Sequence, residues 1–223
     1  MILTEQNRIQ DFTSRGWWGN DTLYSLFKDA LATGKDHEAL VDPENRLNIT
    51  GDSPKRLTYG EVDKTVEIYA TIFYEQGLRK DDIVIIQLPN VIELPMVYLA
   101  LSKLGIICSP IPMQYGVYEI TSIISETSPK AFISTQTFNG IKHAEQFSSV
   151  FTNQELKFSL GSTRGFIDLY DYNLSTETMR GQEAYAQKNP ITANDIFTIC
   201  WTSGTTGTPK GVPRSHNLWL TMA

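Results

Sequence analysis

The 223 residues carry 19 Lys and Arg against 25 Asp and Glu, a formal net charge of -6, and 41% of them are hydrophobic. A chain of this size buries about 70% of the surface its unfolded form exposes, so a sizeable core is expected rather than disorder or a fibre. An acidic chain with no basic block argues against sequence-independent nucleic-acid binding, which depends on phosphate neutralisation, and leaves anion binding to a local loop.

The two cysteines, Cys108 and Cys200, lie in apolar runs and read as buried reduced thiols rather than a disulfide framework. Residues 1–11 show no charged segment followed by an apolar run, so no secretory signal is expected. The longest apolar stretch, 83–113, is broken by Pro89, Asn90, Glu93, Pro95, Lys103 and Pro110. A bilayer span needs ~20 predominantly apolar residues, so a soluble, cytoplasmic protein without a membrane span is expected.

In chain order, residues 22–32 read as a helix with Leu23, Leu26, Phe27 and Leu31 at helical spacing. The pair Trp17-Trp18 before it reads as an anchor for the N-terminal arm. Ala39-Leu40-Val41 is a short strand stopped by Asp42-Pro43, and 45–55 reads as a loop or hairpin. Thr58-Tyr59-Gly60-Glu61 is a capping box, opening a helix with Val62, Val66, Tyr69, Ala70 and Phe73 on one face and Gly77 as its stop. Ile83-Val84-Ile85-Ile86 has the continuous apolar run of a strand covered on both faces. A helix follows from Asn90 or from just before Pro95 to Lys103-Leu104-Gly105. Next come a strand at 106–109, a helix at 118–126 and a strand at 131–134. Segments 161–165 and 175–181 read as loops, 166–169 as a short strand and 195–201 as an apolar strand. A Gly- and Thr-rich loop then leads to a helix from Ser215. Helix followed by strand, three times over, predicts an α/β fold: a parallel sheet covered by helices on both faces.

The loop is Thr202-Ser203-Gly204-Thr205-Thr206-Gly207-Thr208-Pro209-Lys210-Gly211. Its three glycines let backbone approach a ligand, its five hydroxyls and freed N–H groups offer donors to an anion, and Lys210 adds a cation. It is not the Gly-x-x-x-x-Gly-Lys-Ser/Thr pattern, because Gly211 rather than a hydroxyl follows the lysine.

This segment resembles, nearly residue for residue, the signature phosphate-binding loop of the adenylate-forming superfamily: acyl-CoA synthetases, aryl-acid ligases, luciferases and nonribosomal adenylation domains. Leu57-Thr58-Tyr59-Gly60-Glu61-Val62 and the 101–112 segment resemble two weaker marks of the same family. The resemblance implies that residues 1–223 are the N-terminal portion of an AMP-binding large domain, truncated after the phosphate-binding loop and without the C-terminal lid domain. It implies a ligase in which a carboxylate attacks the α-phosphate of MgATP, giving acyl-adenylate and pyrophosphate before transfer to a thiol. Coenzyme A is the favoured thiol and a carrier-protein arm the other. Thr202, Ser203, Gly204, Thr205, Thr206, Gly207 and Lys210 would contact phosphate, and His216 would stand by the acid's carboxylate as a catalytic residue. No metal ligand is assigned beyond the Mg2+ carried with ATP. Pro213-Arg214-Ser215-His216 resembles aryl- and cyclic-acid ligases, which leans the substrate towards a ring-bearing acid. The 223 residues alone are expected to be inactive. The alternative is a non-catalytic nucleotide-binding module; a hydrolytic triphosphatase with Asp195 near Mg2+ and an interaction domain with an incidental loop complete the alternatives.

Overall fold

The computed structural model describes residues 1–151, 155–202 and 209–221. Helix α1 (Gln6–Ser14) opens the chain without having been anticipated. Trp18 is buried edge-on to Phe12 at 5.0 Å, whereas Trp17 is exposed, so one tryptophan of the pair anchors this arm. Helix α2 (Leu23–Gly34) starts at Thr22, which caps it with Ser25. Strand β1 (Glu38–Val41) and β2 (Arg56–Thr58) form a small antiparallel ribbon.

Between them the sequence predicted loop or hairpin, and the structure instead has one helical turn, α3 (Arg46–Thr50), closed by Gly51 at φ 87°. Its apolar periodicity is too short to read. The Arg46 side chain, drawn wholly inside, holds it in place.

Helix α4 (Tyr59–Glu75) carries the capping box as read. Thr58 Oγ1 accepts the Glu61 N–H at 3.3 Å, and Glu61 accepts the Thr58 N–H at 2.8 Å. Removing such a cap costs about 1 kcal/mol. Thr58→Ala is therefore expected to lower the unfolding midpoint by roughly 2–4 °C, read by circular dichroism; an unchanged midpoint would remove the cap from the account.

Strand β3 (Ile83–Ile86) leads to α5 (Glu93–Leu104). Pro95 sits in the first turn of α5, where its missing N–H has no intrahelical partner to lose. Gly105 ends the helix at φ 69°, a left-handed cap. Then come β4 (Ile107–Pro110), α6 (Val117–Thr127) and β5 (Ala131–Thr135). A small hairpin, β6 (Thr137–Phe138) with β7 (Ile141–Lys142), and a 3-10 turn, Ala144–Phe147, follow. Strands β8 (Leu156–Leu160) and β9 (Ile167–Asp168) precede α7 (Thr176–Lys188). Segment 175–181, expected as a loop, is the start of α7: Ser175 is its N-cap, accepting the Thr178 N–H at 3.0 Å. The helix buries only Gln182, so it lacks the apolar stripe that betrays a helix in sequence.

The chain closes with β10 (Ile196–Thr202), β11 (Lys210–Ser215) and α8 (His216–Leu220). Strand β11 was not anticipated. Lys210 to Ser215 pairs antiparallel with β10, so a strand stands between the Gly- and Thr-rich segment and the helix, which Ser215 caps.

The main sheet has the order β11-β10-β4-β3-β5-β8-β9, parallel throughout except for the β10–β11 pair. Alternate residues of β3 face opposite cores. Val84 and Ile86 pack with Val66 and Phe73 of α4 and Leu101 of α5, while Ile85 packs with Ile120 and Ile123 of α6 and with Phe132. Helices thus cover both faces, as the continuous apolar run of β3 requires. The chain leaves β3 through α5 to reach β4 on one side. It returns from β4 through α6 to β5 on the other side. Such a reversal opens a crevice at the carboxyl ends of the strands.

Candidate functional site

A cavity of about 460 Å3 occupies that crevice. Ile86 and Asn90 after β3, Tyr98 of α5, Pro110 and Gln114 after β4, and Phe138 of β6 line it. One buried side chain behind this lining holds the Pro112 segment in place. Gln87 Nε2 donates to the Pro112 and Tyr115 carbonyls at 3.0 and 2.9 Å, which orients the amide so that its Oε1 faces His143 Nε2 at 3.1 Å. The imidazole must therefore donate from Nε2, and burial lowers its pKa. Neither residue was singled out from sequence. The available signal is a glutamine directly extending the apolar run of β3.

Strand β10 ends at the same edge. Its parallel register with β4, Thr198 opposite Cys108, brings Thr202 to the carboxyl edge beyond Pro110. Thr202 and Lys210 are Cα partners at the end of the ladder next to the Gly- and Thr-rich segment, and both are exposed. Among the described residues no carboxylate is paired with Lys210. Ser203, Gly204, Thr205, Thr206 and Gly207 lie outside the described residues. The arrangement presents a hydroxyl and a cation where a parallel sheet ends, a chemistry suited to an anion.

His216 is not brought to this end. The hairpin runs from Thr202–Lys210 to Ile196–Ser215, and at ~3.3 Å per residue His216 lies about 20 Å along it from Lys210. Its ring is 2% exposed, stacked on Phe197 at 4.8 Å, and its Nδ1 accepts the Leu23 N–H at 3.2 Å. Burial pushes its pKa down to about 4 against a weaker opposing pull from Asp195. In this position the neutral ring docks the start of α2, and the role expected of it by the acid's carboxylate is separate from the Thr202–Lys210 end. Asp195 is likewise at the far end, where Lys80 Nζ and the Met1 ammonium each reach it at 2.8 Å. Its place there argues against a role near a loop-bound Mg2+.

The family described as AMP-binding enzyme matches residues 27–223. The chain belongs to the AMP-binding enzyme family. This AMP-binding chain is 29% identical over 216 residues to pseudomonine synthase PmsE of Pseudomonas entomophila, covering 95% of itself and 33% of that protein. It is 28% identical over 169 residues to the probable CoA ligase CCL5 of Humulus lupulus, covering 75% of itself and 30% of the relative. The apo structure of MbtA from Mycobacterium smegmatis shares the fold with a TM-score of 0.78 at 22% identity, over 98% of this chain and 38% of that one. The chain thus spans about a third of the length of the curated relatives it matches. Among the described residues of this family member no helix is long and apolar enough to cross a membrane.

Proposed function

We infer that residues 1–223 form the N-terminal portion of the large domain of an ATP-dependent, carboxylate-activating ligase, and that the hairpin end at Thr202 and Lys210 is where the nucleotide's phosphates are held. The observation that carries this reading is the exposed Thr202–Lys210 pair at the carboxyl edge of a parallel sheet, at the two ends of the family's signature segment. Thr202, Ser203, Gly204, Thr205, Thr206, Gly207 and Lys210 are the proposed phosphate contacts. A carboxylate is a poor electrophile, so its oxygen first attacks the α-phosphate and pyrophosphate departs. Lys210 and the segment's N–H and hydroxyl donors stabilise the charge that grows on that leaving group. Mg2+ would come bound to the nucleotide's phosphate oxygens and would neutralise part of the same charge.

The acyl-adenylate then passes to a thiol. Coenzyme A is the proposed acceptor, supported by the CoA ligases among the relatives. The substrate is proposed to be a ring-bearing carboxylic acid, on the Pro213-Arg214-Ser215-His216 wording. The 223 residues alone are proposed not to turn over. The cytoplasm is the proposed compartment, supported by the unpaired state of Cys108 and Cys200.

The test is acid-dependent ATP–pyrophosphate exchange by the complete protein against a panel of aromatic, cyclic and aliphatic acids. Exchange with at least one acid, cut about tenfold by Lys210→Ala because other donors share the load, is the expected result. MgATP binding without exchange for any acid would instead make the protein a nucleotide-binding module.

A further inference from the structure

The base of the phosphate hairpin packs on the sheet but joins it through a short backbone ladder. The ladder between β10 and β4 has a single registered pair, Thr198 with Cys108. Among the described residues no further registered pair joins the two strands towards Thr202. On its other side β10 pairs only with β11, an edge strand exposed from Lys210 to Pro213.

One side chain spans this gap. Trp201 Nε1 donates to Ser109 Oγ on β4 at 2.8 Å, and Ser109 is fully buried. The opposite edge of the indole reaches β11. A Cβ placed on Gly211 would meet Trp201 Cη2 at 3.2 Å and Ile199 Cγ2 at 2.9 Å. Gly211 is the Cα partner of Trp201, one step from the Thr202–Lys210 pair. The indole therefore lies crosswise over β10, hydrogen-bonded to β4 at one end and pressed on bare backbone of β11 at the other. The glycine after Lys210 is the residue that makes room for it. Strand β4 continues from Ser109 directly into Pro110 and the segment lining the cavity.

We propose that Trp201 is a positioning residue for phosphate binding: its indole straps β11 to β4 directly below the Thr202–Lys210 pair and fixes the spacing between the phosphate-holding end and the cavity at the carboxyl edge. This rests on the phosphate-binding reading above. Tryptophan suits the task because its broad ring covers area on one strand while its N–H finds a fixed acceptor on another. Phenylalanine would keep part of the area and lose both the N–H and the lateral reach.

The experiment measures the Kd of MgATP for the complete protein by titration calorimetry at 25 °C, with unfolding midpoints and tryptophan emission recorded in parallel. Wild type, Ser109→Ala and Trp201→Phe are compared. The expected result is a Kd weakened about fivefold in Ser109→Ala, the scale of one lost hydrogen bond, and about tenfold in Trp201→Phe. Midpoints should move by no more than a few degrees, and an emission change on MgATP addition should be present in wild type and absent in Trp201→Phe. A purely structural tryptophan would lower the midpoint and leave the Kd of the folded protein alone. Unchanged Kd values in folded variants, with wild type binding, overturn the strap and leave the phosphate reading standing. Wild type failing to bind MgATP overturns both. Should Trp201→Phe not fold, Ser109→Ala, which keeps the indole, decides the question.

Discussion

Replacing Arg46 by alanine is expected to destabilise the protein by about 3–5 kcal/mol, the cost of stranding buried charge. Arg46 is 0% exposed and grips Glu93 with both terminal nitrogens, each at 2.8 Å, while its NH1 also reaches Asp42 at 2.6 Å. Burial opposes its charge, but the hydrogen bonds it donates to Glu93 and Asp42 outweigh that penalty and raise its pKa. Removing the guanidinium leaves two carboxylates in a dry site. Asp42 cannot simply swing away, because its oxygens also accept the N–H groups of Ile92 and Lys55 at 3.1 and 2.9 Å. The network joins α3 to the first turn of α5, whose Leu94 and Tyr98 line the cavity. Urea unfolding of Arg46→Ala is the measurement, with a midpoint drop of roughly 6–20 °C in a parallel thermal scan. A loss under about 1 kcal/mol would contradict the charge accounting. Glu93→Gln, which keeps the shape and much of the hydrogen bonding, is expected to cost less than Arg46→Ala.

Acidification from pH 6.5 to pH 4 is expected to remove up to ~3 kcal/mol through His216 alone. The folded-state pKa is held down to about 4, chiefly by burial, against 6.5 for the free side chain. In that window the unfolded chain binds the proton and the folded chain does not, so stability is fully present above pH 6.5 and falls as the pH drops towards 4. Asp195 acts in the same direction but lower. Burial opposes its charge, yet Lys80, the Met1 ammonium and Thr192 together hold its carboxyl below the usual carboxylate range. Its share is therefore lost only as the pH falls below about 4. The other groups facing His216 are Phe197 and the main-chain N–H of Leu23, which do not titrate. Denaturant midpoints across pH 4–7 should slope upward in wild type and less steeply in His216→Gln, the remainder coming from buried His143, whose lowered pKa acts in the same direction. A slope left unchanged by the substitution would move the effect to another group.

The strands and helices that a single core shapes were legible in sequence. The run 83–86, the stripe of Val62, Val66, Tyr69, Ala70 and Phe73, and the Thr58–Glu61 cap each follow from one local rule and appear as read. Elements held by distant partners were not legible. Helix α3 stands on the ion pair of Arg46 with a residue 47 positions away, and α7 has no apolar stripe to announce it. Strand β11 was missed because its exposed residues, Pro213 among them, carry an edge strand's composition rather than a core strand's. The same gap explains the site. The family resemblance of segment 202–211 was plain from its residues, but the reach of a hairpin, which sends Lys210 and His216 to opposite ends, is a property of pairing and not of spacing along the chain.

That pairing also sets an order of events. The Gly19 N–H and carbonyl are both taken by the side chain of Asn217, 198 residues later, and Leu23 waits for His216. At ~5–20 residues per second, a ribosome delivers those partners roughly 10–40 s after the first segment emerges. For that interval the N-terminal arm has no native seat, while α4, β3 and α5 can already assemble from neighbours in sequence. Contacts of such separation are the slow ones in folding, so among these elements the arm is the last to lock, and its Trp18 and Phe12 are the apolar surface that the nascent chain must keep from other molecules until β10 and α8 arrive.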